Sequence, residues 1–381
     1  MNQYLSTFRI RLVWLLLPCV AFCSDELPKI PRDLGEQVLM MPVGSGFLSS
    51  TELETTIYKP PGNGPFPIAL ISDGKEFGDP RFAPRARYPV LSKELVRRGF
   101  LVAIPNRRGY SKSGGNYIFT TCDALSSAEQ QSKDVLDSLD TLRKRPDVDP
   151  TNILLLGQSY GGLISLATAS KGPTGVKGVI NFSGGLMQSP EMNCPWQDKL
   201  VTAFKSMGKD IKVPTLWFYG TNDSFWGADL PRKMYDAYKD AGGNVKAIWF
   251  GVDSTGDAHT MVSRSANIPV WVSWVESFTA EIGIPATIRY QIQPTPRPPK
   301  TDFADLTDVN AVPYLDDRRK SGYKTYLQMK PPKAFAIAPT GNTGRSSSGD
   351  DPLGDALDAC RSIAKIECRL YAVDDDVVWT P

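Results

Sequence analysis

The chain has 381 residues, 41% hydrophobic and 22% charged, a composition that excludes a disordered chain and leaves room for one large domain with a smaller one beside it. Its formal net charge is +2, without a run of lysine or arginine, so the charge pattern gives no reason to expect a nucleic-acid partner.

At the N-terminus, Arg9 and Arg11 flank the start of an apolar stretch over 12–22, and polar Ser24-Asp25-Glu26 follows. This is the layout of a secretory signal peptide over residues 1–23, with a basic start, a short apolar middle and a cut near 21–23. The stretch is too short to span a bilayer comfortably, so no integral membrane span is expected in the mature chain. Neither Pro18 before Cys19 nor Phe22 before Cys23 is the small residue that precedes a lipidated cysteine. Cutting there removes two arginines and no acid, leaving a formal net charge of zero. Export to the periplasm or the exterior is expected. In such a compartment the four remaining thiols can form two disulfides. Cys360 with Cys368, close in sequence, is the first pair expected, and Cys122 with Cys194 the other. No CxxC is present and only one histidine exists, which argues against a metal site.

From about Gln37 to Gly283, short β-rich runs alternate with longer amphipathic stretches. Predicted strands are Gln37–Val43, Glu52–Tyr58, Phe66–Ile71, Leu101–Pro105, Ile153–Leu156, Gly178–Phe182, Thr215–Tyr219 and Val245–Phe250. Several are continuous apolar runs, as strands covered on both faces require. Predicted helices are Pro89–Arg98, Ala128–Arg143, Gly161–Ala169, Asp198–Ser206, Leu230–Ala241 and Ile268–Ile282. Strands alternating with helices argue for a mostly parallel sheet with helices on both faces. The first two strands lack a helix between them and should pair as a hairpin. The region Gly184–Lys212, with Cys194 and Trp196, is an excursion of the kind that overlies a site.

Four prolines in QIQPTPRPPK, residues 291–300, predict a stiff, extended linker. The domain plan is therefore a signal over 1–23, a main domain over 24–290, a linker over 291–309 and a small cysteine-bearing α+β module over 310–381. Within that module a strand is predicted at Ala334–Ala338, a loop at 341–350, a helix over Pro352–Ala364 and a strand near Arg369–Val373. So small a unit is marginal as an independent core, which makes a disulfide useful there.

Gly157-Gln158-Ser159-Tyr160-Gly161 fits G-x-S-x-G between a strand and a helix. In that setting the serine sits on a sharp, strained turn that exposes its hydroxyl, and flanking glycines relieve the crowding. The helix beneath offers unpaired N–H groups to a developing anion. A serine needs a base of near-neutral pKa, and the single histidine of the chain is His259, in the loop after the last predicted strand of the main domain. Asp223, at the end of the strand Thr215–Tyr219, is the expected acceptor that orients the imidazole. Asp253 and Asp257 lie nearer in sequence but read as loop formers. The backbone N–H of Tyr160, with that of Gly74 or Lys75 in SDGKEF, would form the oxyanion hole. Trp196, Phe225 and Trp226 are candidate pocket residues, with packing alone an equal reading. No cofactor is called for.

GQSYGG at 157–162, YGTND at 219–223, DAH at 257–259 and PNRRGYSKSGG at 105–115 together resemble the α/β-hydrolase superfamily, in particular its dienelactone-hydrolase and prolyl-oligopeptidase-like branch, over roughly residues 37–285. The resemblance implies an eight-stranded sheet and serine-dependent hydrolysis of an ester, lactone or peptide bond. It also gives Arg108 the role of bracing the nucleophile-side loops. The usual His-Gly of the oxyanion loop is Asp73-Gly74 here, the nucleophile is serine where dienelactone hydrolases use cysteine, and the β-propeller of prolyl oligopeptidases is absent. The expectation is an exported serine esterase acting on a small-molecule ester. A peptidase or amidase with the same triad, and a non-catalytic envelope binding protein on a hydrolase scaffold, stand as alternatives. The sequence leaves the oligomeric state open.

Overall fold

The structure is a computed structural model describing residues 27–44, 50–75, 78–119, 122–188, 193–254, 256–284, 287–364 and 366–381. The proposed signal peptide lies outside these residues.

The main sheet has eight strands: β2 (Gln37–Val43), β3 (Thr51–Tyr58), β4 (Phe66–Ser72), β5 (Leu101–Pro105), β6 (Val148–Gln158), β7 (Val176–Phe182), β8 (Thr215–Gly220) and β9 (Val245–Phe250). They lie in the order β2-β3-β5-β4-β6-β7-β8-β9. β2 and β3 form the expected antiparallel hairpin, β3 also runs antiparallel to β5, and every later pairing is parallel. This is the mostly parallel sheet the resemblance implied. The apolar runs explain it. All five residues of β5 and all six of β8 are buried, as covering by helices on both faces requires.

Six helices cover this sheet: α1 (Pro89–Arg97), α2 (Ala124–Leu142), α3 (Tyr160–Ala169), α4 (Trp196–Asp210), α5 (Asp229–Asp240) and α6 (Ile268–Glu281). α2 to α5 pack on one face and α1 with α6 on the other. α3 is buried along its whole length, which is why it lacks a polar stripe. α2 starts earlier than its periodicity suggested, because the Asp123 carboxylate accepts from the N–H of Ser126 and caps the first turn. Trp217 of β8 is fully buried, with the rings of Phe204 and Tyr238 at 5.1 and 4.9 Å. Burial of a side chain of this size contributes about 2–3 kcal/mol.

Two short strands escape the sequence pattern. β1 (Lys29–Ile30) pairs in parallel with β10 (Gln291–Ile292), so the start of the proline-rich segment is sewn to the other end of the main unit. Beyond it a four-stranded antiparallel sheet forms in the order β12-β11-β13-β14, from β11 (Ala334–Ile337), β12 (Thr343–Ser346), β13 (Arg369–Val373) and β14 (Asp376–Val377). The expected loop at 341–350 is corrected in part: Thr343–Ser346 pairs with β11. α7 (Lys320–Gln328) was not anticipated. It covers one face with Tyr323 and Tyr326, packed against Phe335 and Tyr371. α8 (Pro352–Ala364) covers the other through Ala356 and Cys360. Both expected disulfides are present, Cys122–Cys194 and Cys360–Cys368. Among the described residues no helix is long and apolar enough to cross a membrane.

Candidate active site

Ser159 stands between β6 and α3 with φ 56° and ψ −128°, a left-handed backbone that costs a non-glycine residue about 1–3 kcal/mol. Two close approaches hold it there. A Cβ on Gly157 would come within 2.1 Å of the Gly161 carbonyl oxygen, and one on Gly161 within 1.9 Å of the Ser72 carbonyl oxygen. Only glycine lets the strand, the turn and the neighbouring β4 crowd together so closely. The Ser159 N–H donates to the Phe182 carbonyl at 2.9 Å, extending the β6–β7 pairing into the turn. The serine is thus fixed at the C-terminal ends of the parallel strands, above the start of α3.

Two further loops leave the same ends. After β8, Asp223 is buried and its Oδ1 accepts from the N–H groups of Phe225 (2.9 Å) and Trp226 (3.2 Å). After β9, a 3₁₀ turn over Ala258–Ser263 carries His259, also buried. His259 Nδ1 lies 3.1 Å from both Asp223 carboxylate oxygens. A carboxylate facing Nδ1 selects the tautomer protonated there and leaves Nε2 as the acceptor of the ring. Asp257 caps the turn, accepting from the His259 N–H at 2.9 Å and from the Ser224 hydroxyl. Burial would raise its carboxyl, but these hydrogen bonds hold it below the usual range. Asp253 accepts from Arg264 and Asn267. Both aspartates therefore shape the loop, and Asp223 is the one beside the imidazole.

The Phe225 ring stacks on the imidazole at 4.2 Å, with Trp226 edge-on at 5.7 Å. Both also line a cavity of about 190 Å³ with Ser159, Tyr160, Lys75, Leu186 and Met187. Trp196 does not line it. It sits behind, 6.3 Å from the Trp226 ring, just after Cys194 and its disulfide to Cys122. Among the described residues no hydrogen bond joins Ser159 to His259; the link between them is Phe225 and Trp226, which pack on the imidazole and line the cavity with Ser159. A larger cavity of about 330 Å³ lies at the opposite ends of the strands, between Pro61–Pro67 and Arg289, without a nucleophile.

The loop after β4 carries Asp73, Gly74 and Lys75. The Asp73 carboxylate accepts from the Tyr88 hydroxyl at 2.8 Å, and that hydroxyl accepts from the Gly74 N–H at 3.3 Å. The Gly74 N–H is thus turned to Tyr88, while Lys75 reaches the cavity. Burial pushes the Asp73 carboxyl up, against the opposing pull of Arg107 and of the hydrogen bond from Tyr88. Arg107 donates to the backbone carbonyls of Asp73 and, at 2.8 Å, Gly74. This corrects the role expected of Arg108, which instead pairs with Asp134 and Asp137 of α2. The two arginines are adjacent in PNRRGY, and nothing in the spacing says which one turns inward. Gln158 was also overlooked: its Nε2 donates to the His259 carbonyl at 2.8 Å. Among the described residues no group of three metal-ligating side chains exists.

Residues 49–187 match the family of X-Pro dipeptidyl-peptidases (S15 family). The monoglyceride lipase of Rattus norvegicus is 30% identical over 105 residues, 28% of this chain and 32% of the lipase, so the match spans about a third of that relative's length. Among solved structures, an esterase of Pyrococcus furiosus is 16% identical with a TM-score of 0.48, covering 68% of this chain and 99% of its own. The esterase Est2 of Thermogutta terrifontis, solved with propionate bound, is 18% identical with a TM-score of 0.48, covering 68% and 98%. The sheet order and the strained serine between β6 and α3 give this chain the α/β-hydrolase fold, and its residues 49–187 match the X-Pro dipeptidyl-peptidase family.

Proposed function

We propose that this protein is an exported serine hydrolase that cleaves a carboxylic ester. The observation that carries the reading is the imidazole of His259, gripped by the Asp223 carboxylate at 3.1 Å and packed against Phe225 and Trp226, which line the cavity with a strained serine. Ser159 Oγ attacks the carbonyl carbon while His259 Nε2 takes its proton, and Asp223 stabilises the imidazolium. The tetrahedral oxyanion is held by the N–H of Tyr160 and, since the Gly74 N–H faces Tyr88, by that of Lys75. The intermediate collapses, the alcohol leaves with the proton from His259, and water repeats the sequence to free the acid. The serine and histidine close to hydrogen-bonding distance as substrate binds, since such contacts are often long in the free enzyme. Residues 24–290 carry this chemistry, 291–309 form the linker, and 310–381 are an accessory module.

A peptidase reading has one observation in its favour, the match of residues 49–187 to the X-Pro dipeptidyl-peptidase family. A fluorophosphonate probe tests the chemistry common to both. Labelling of the native chain, lost in Ser159→Ala and His259→Ala, is expected; a well-folded native chain that takes no label overturns it. A panel of esters against peptidyl amides then separates the two, with turnover of esters and not amides expected.

A further inference from the structure

Among the described residues, Lys75 is the one charged side chain lining the cavity with Ser159. Its Nζ lies 4.2 Å from the centre of the Phe119 ring, a cation–π contact, and the residue is exposed. Among the described residues no carboxylate pairs with it. The two nearby acids are engaged elsewhere, Asp223 with His259 and Asp73 with Tyr88. Arg107 lies behind the same loop and adds a second positive charge. Partial burial, and then the charge of Arg107, depress the Lys75 ammonium below the usual lysine range, and an arriving anion would favour its charged form. The rest of the wall mixes the apolar Leu186, Met187, Phe225 and Trp226 with the polar Ser159 and Tyr160. A small chamber of mixed lining, with one cation that pairs with no carboxylate among the described residues, fits a short chain that ends in a negative charge.

We propose that the substrate of this site is an ester bearing a carboxylate, and that Lys75 is the residue that selects it. The inference rests on the esterase reading above. The step is recognition only and alters no bond.

The test measures selectivity on the full chain. The kcat/KM for mono-para-nitrophenyl glutarate is divided by that for para-nitrophenyl pentanoate, the same chain with methyl in place of carboxylate. A second ratio compares para-carboxyphenyl acetate with phenyl acetate, which moves the charge to the alcohol side. Because a ratio is read, any loss shared by both esters through the backbone of residue 75 cancels. One charge-assisted contact corresponds to about a tenfold change. At least one ratio should therefore fall about tenfold in Lys75→Met, mainly through KM, recover in Lys75→Arg and shrink in the native enzyme as salt rises. Ratios that are the same in native, Lys75→Met and Lys75→Arg proteins, with ester turnover intact, overturn this inference alone. A native chain that turns over no ester and takes no fluorophosphonate label ends the hydrolase reading and this inference with it.

Discussion

The side-chain amide of Gln158 donates to the backbone carbonyl of His259 across 101 residues of sequence, at 2.8 Å. The residue just before the serine therefore holds the loop that carries the imidazole, and the Gln158 Oε1 lies against Gly74 in the loop after β4. Three segments that must stay in register meet at one amide. Gln158→Leu removes the donor, and Gln158→Glu replaces it with an acceptor that faces the carbonyl. In both, kcat should fall about ten- to a hundredfold, because a small misplacement of the base is costly, while KM and the melting temperature stay close to native. Steady-state kinetics with a thermal melt check this; a loss seen only in KM would count against a positioning role.

Asp223 invites a sharper substitution. Asp223→Asn keeps the shape, and its amide oxygen can still accept from Phe225 and Trp226. The amide cannot stabilise an imidazolium and admits the wrong tautomer. We expect kcat to drop about 10²–10⁴-fold with the fold intact, measured with an activated ester. Asp257→Asn, two residues from His259, changes only the cap of the turn and should lose less than tenfold.

Arg107 is buried, and its two terminal nitrogens serve the backbone carbonyls of Asp73 and Gly74 in the loop after β4. Arg107→Met leaves those carbonyls and the Asp73 carboxylate without their cation. A buried network broken on one side costs about 3 kcal/mol, so urea denaturation should show a loss of that order together with reduced kcat. Arg108→Met leaves the buried Asp134 carboxylate with the residue 108 N–H, so it should cost about 1–3 kcal/mol but leave kcat within a few-fold of native.

How much of this was legible beforehand follows from which forces act locally. The Ser159 turn could be read because glycines at 157 and 161 answer a steric demand within five residues. His259 was found by elimination, being the single histidine of the chain. The inner strands of the main sheet, such as β5 and β8, announced themselves because burial on both faces demands continuous apolar runs. Arg107, Gln158 and Tyr88 were not legible, because each acts on a segment far away in sequence and its partner is a backbone atom or a carboxylate that no pattern marks. β12 was hidden for another reason: Thr343–Ser346 is polar, and only pairing with β11 makes it a strand.

The two disulfides sit in different places and should answer differently to removal. Cys122–Cys194 closes a span of 72 residues and joins the segment after Phe119 to the start of α4, where Trp196 backs Trp226. Neither arm lines the cavity, but Trp196 backs Trp226 and Phe119 packs on Lys75, both of which do. Cys360–Cys368 spans 8 residues inside the C-terminal sheet unit. Loop-closure entropy favours the longer span, so Cys122→Ser with Cys194→Ser should cost about 2–4 kcal/mol and raise KM. Cys360→Ser with Cys368→Ser should cost less and leave kcat/KM within a few-fold of native. Paired denaturation and kinetic measurements decide, and a KM rise in the second variant alone would reverse the assignment.

Asp351 ties the C-terminal unit to the main one. Its carboxylate accepts from the Thr295 N–H at 2.9 Å, the Thr295 hydroxyl at 2.8 Å and Arg32. Arg32 also pairs with Asp355 and Asp358, and a Cβ on Gly354 would lie 1.8 Å from its guanidinium carbon, so glycine there lets the arginine lie across α8. Burial alone would raise the Asp351 carboxyl, but the hydrogen bonds from Thr295 and Gly354 and the Arg32 charge hold it below the ordinary carboxylate range. A carboxyl depressed in the folded state contributes stability that is complete above its unfolded pKa of about 4 and is lost as pH falls through the folded value. Acidification below about pH 4 should therefore loosen the 350–358 segment, seen as faster amide exchange there. Asp351→Asn should cost about 1–3 kcal/mol at neutral pH and flatten this acid limb. An acid limb as steep in the variant as in the native protein would place the titrating group elsewhere.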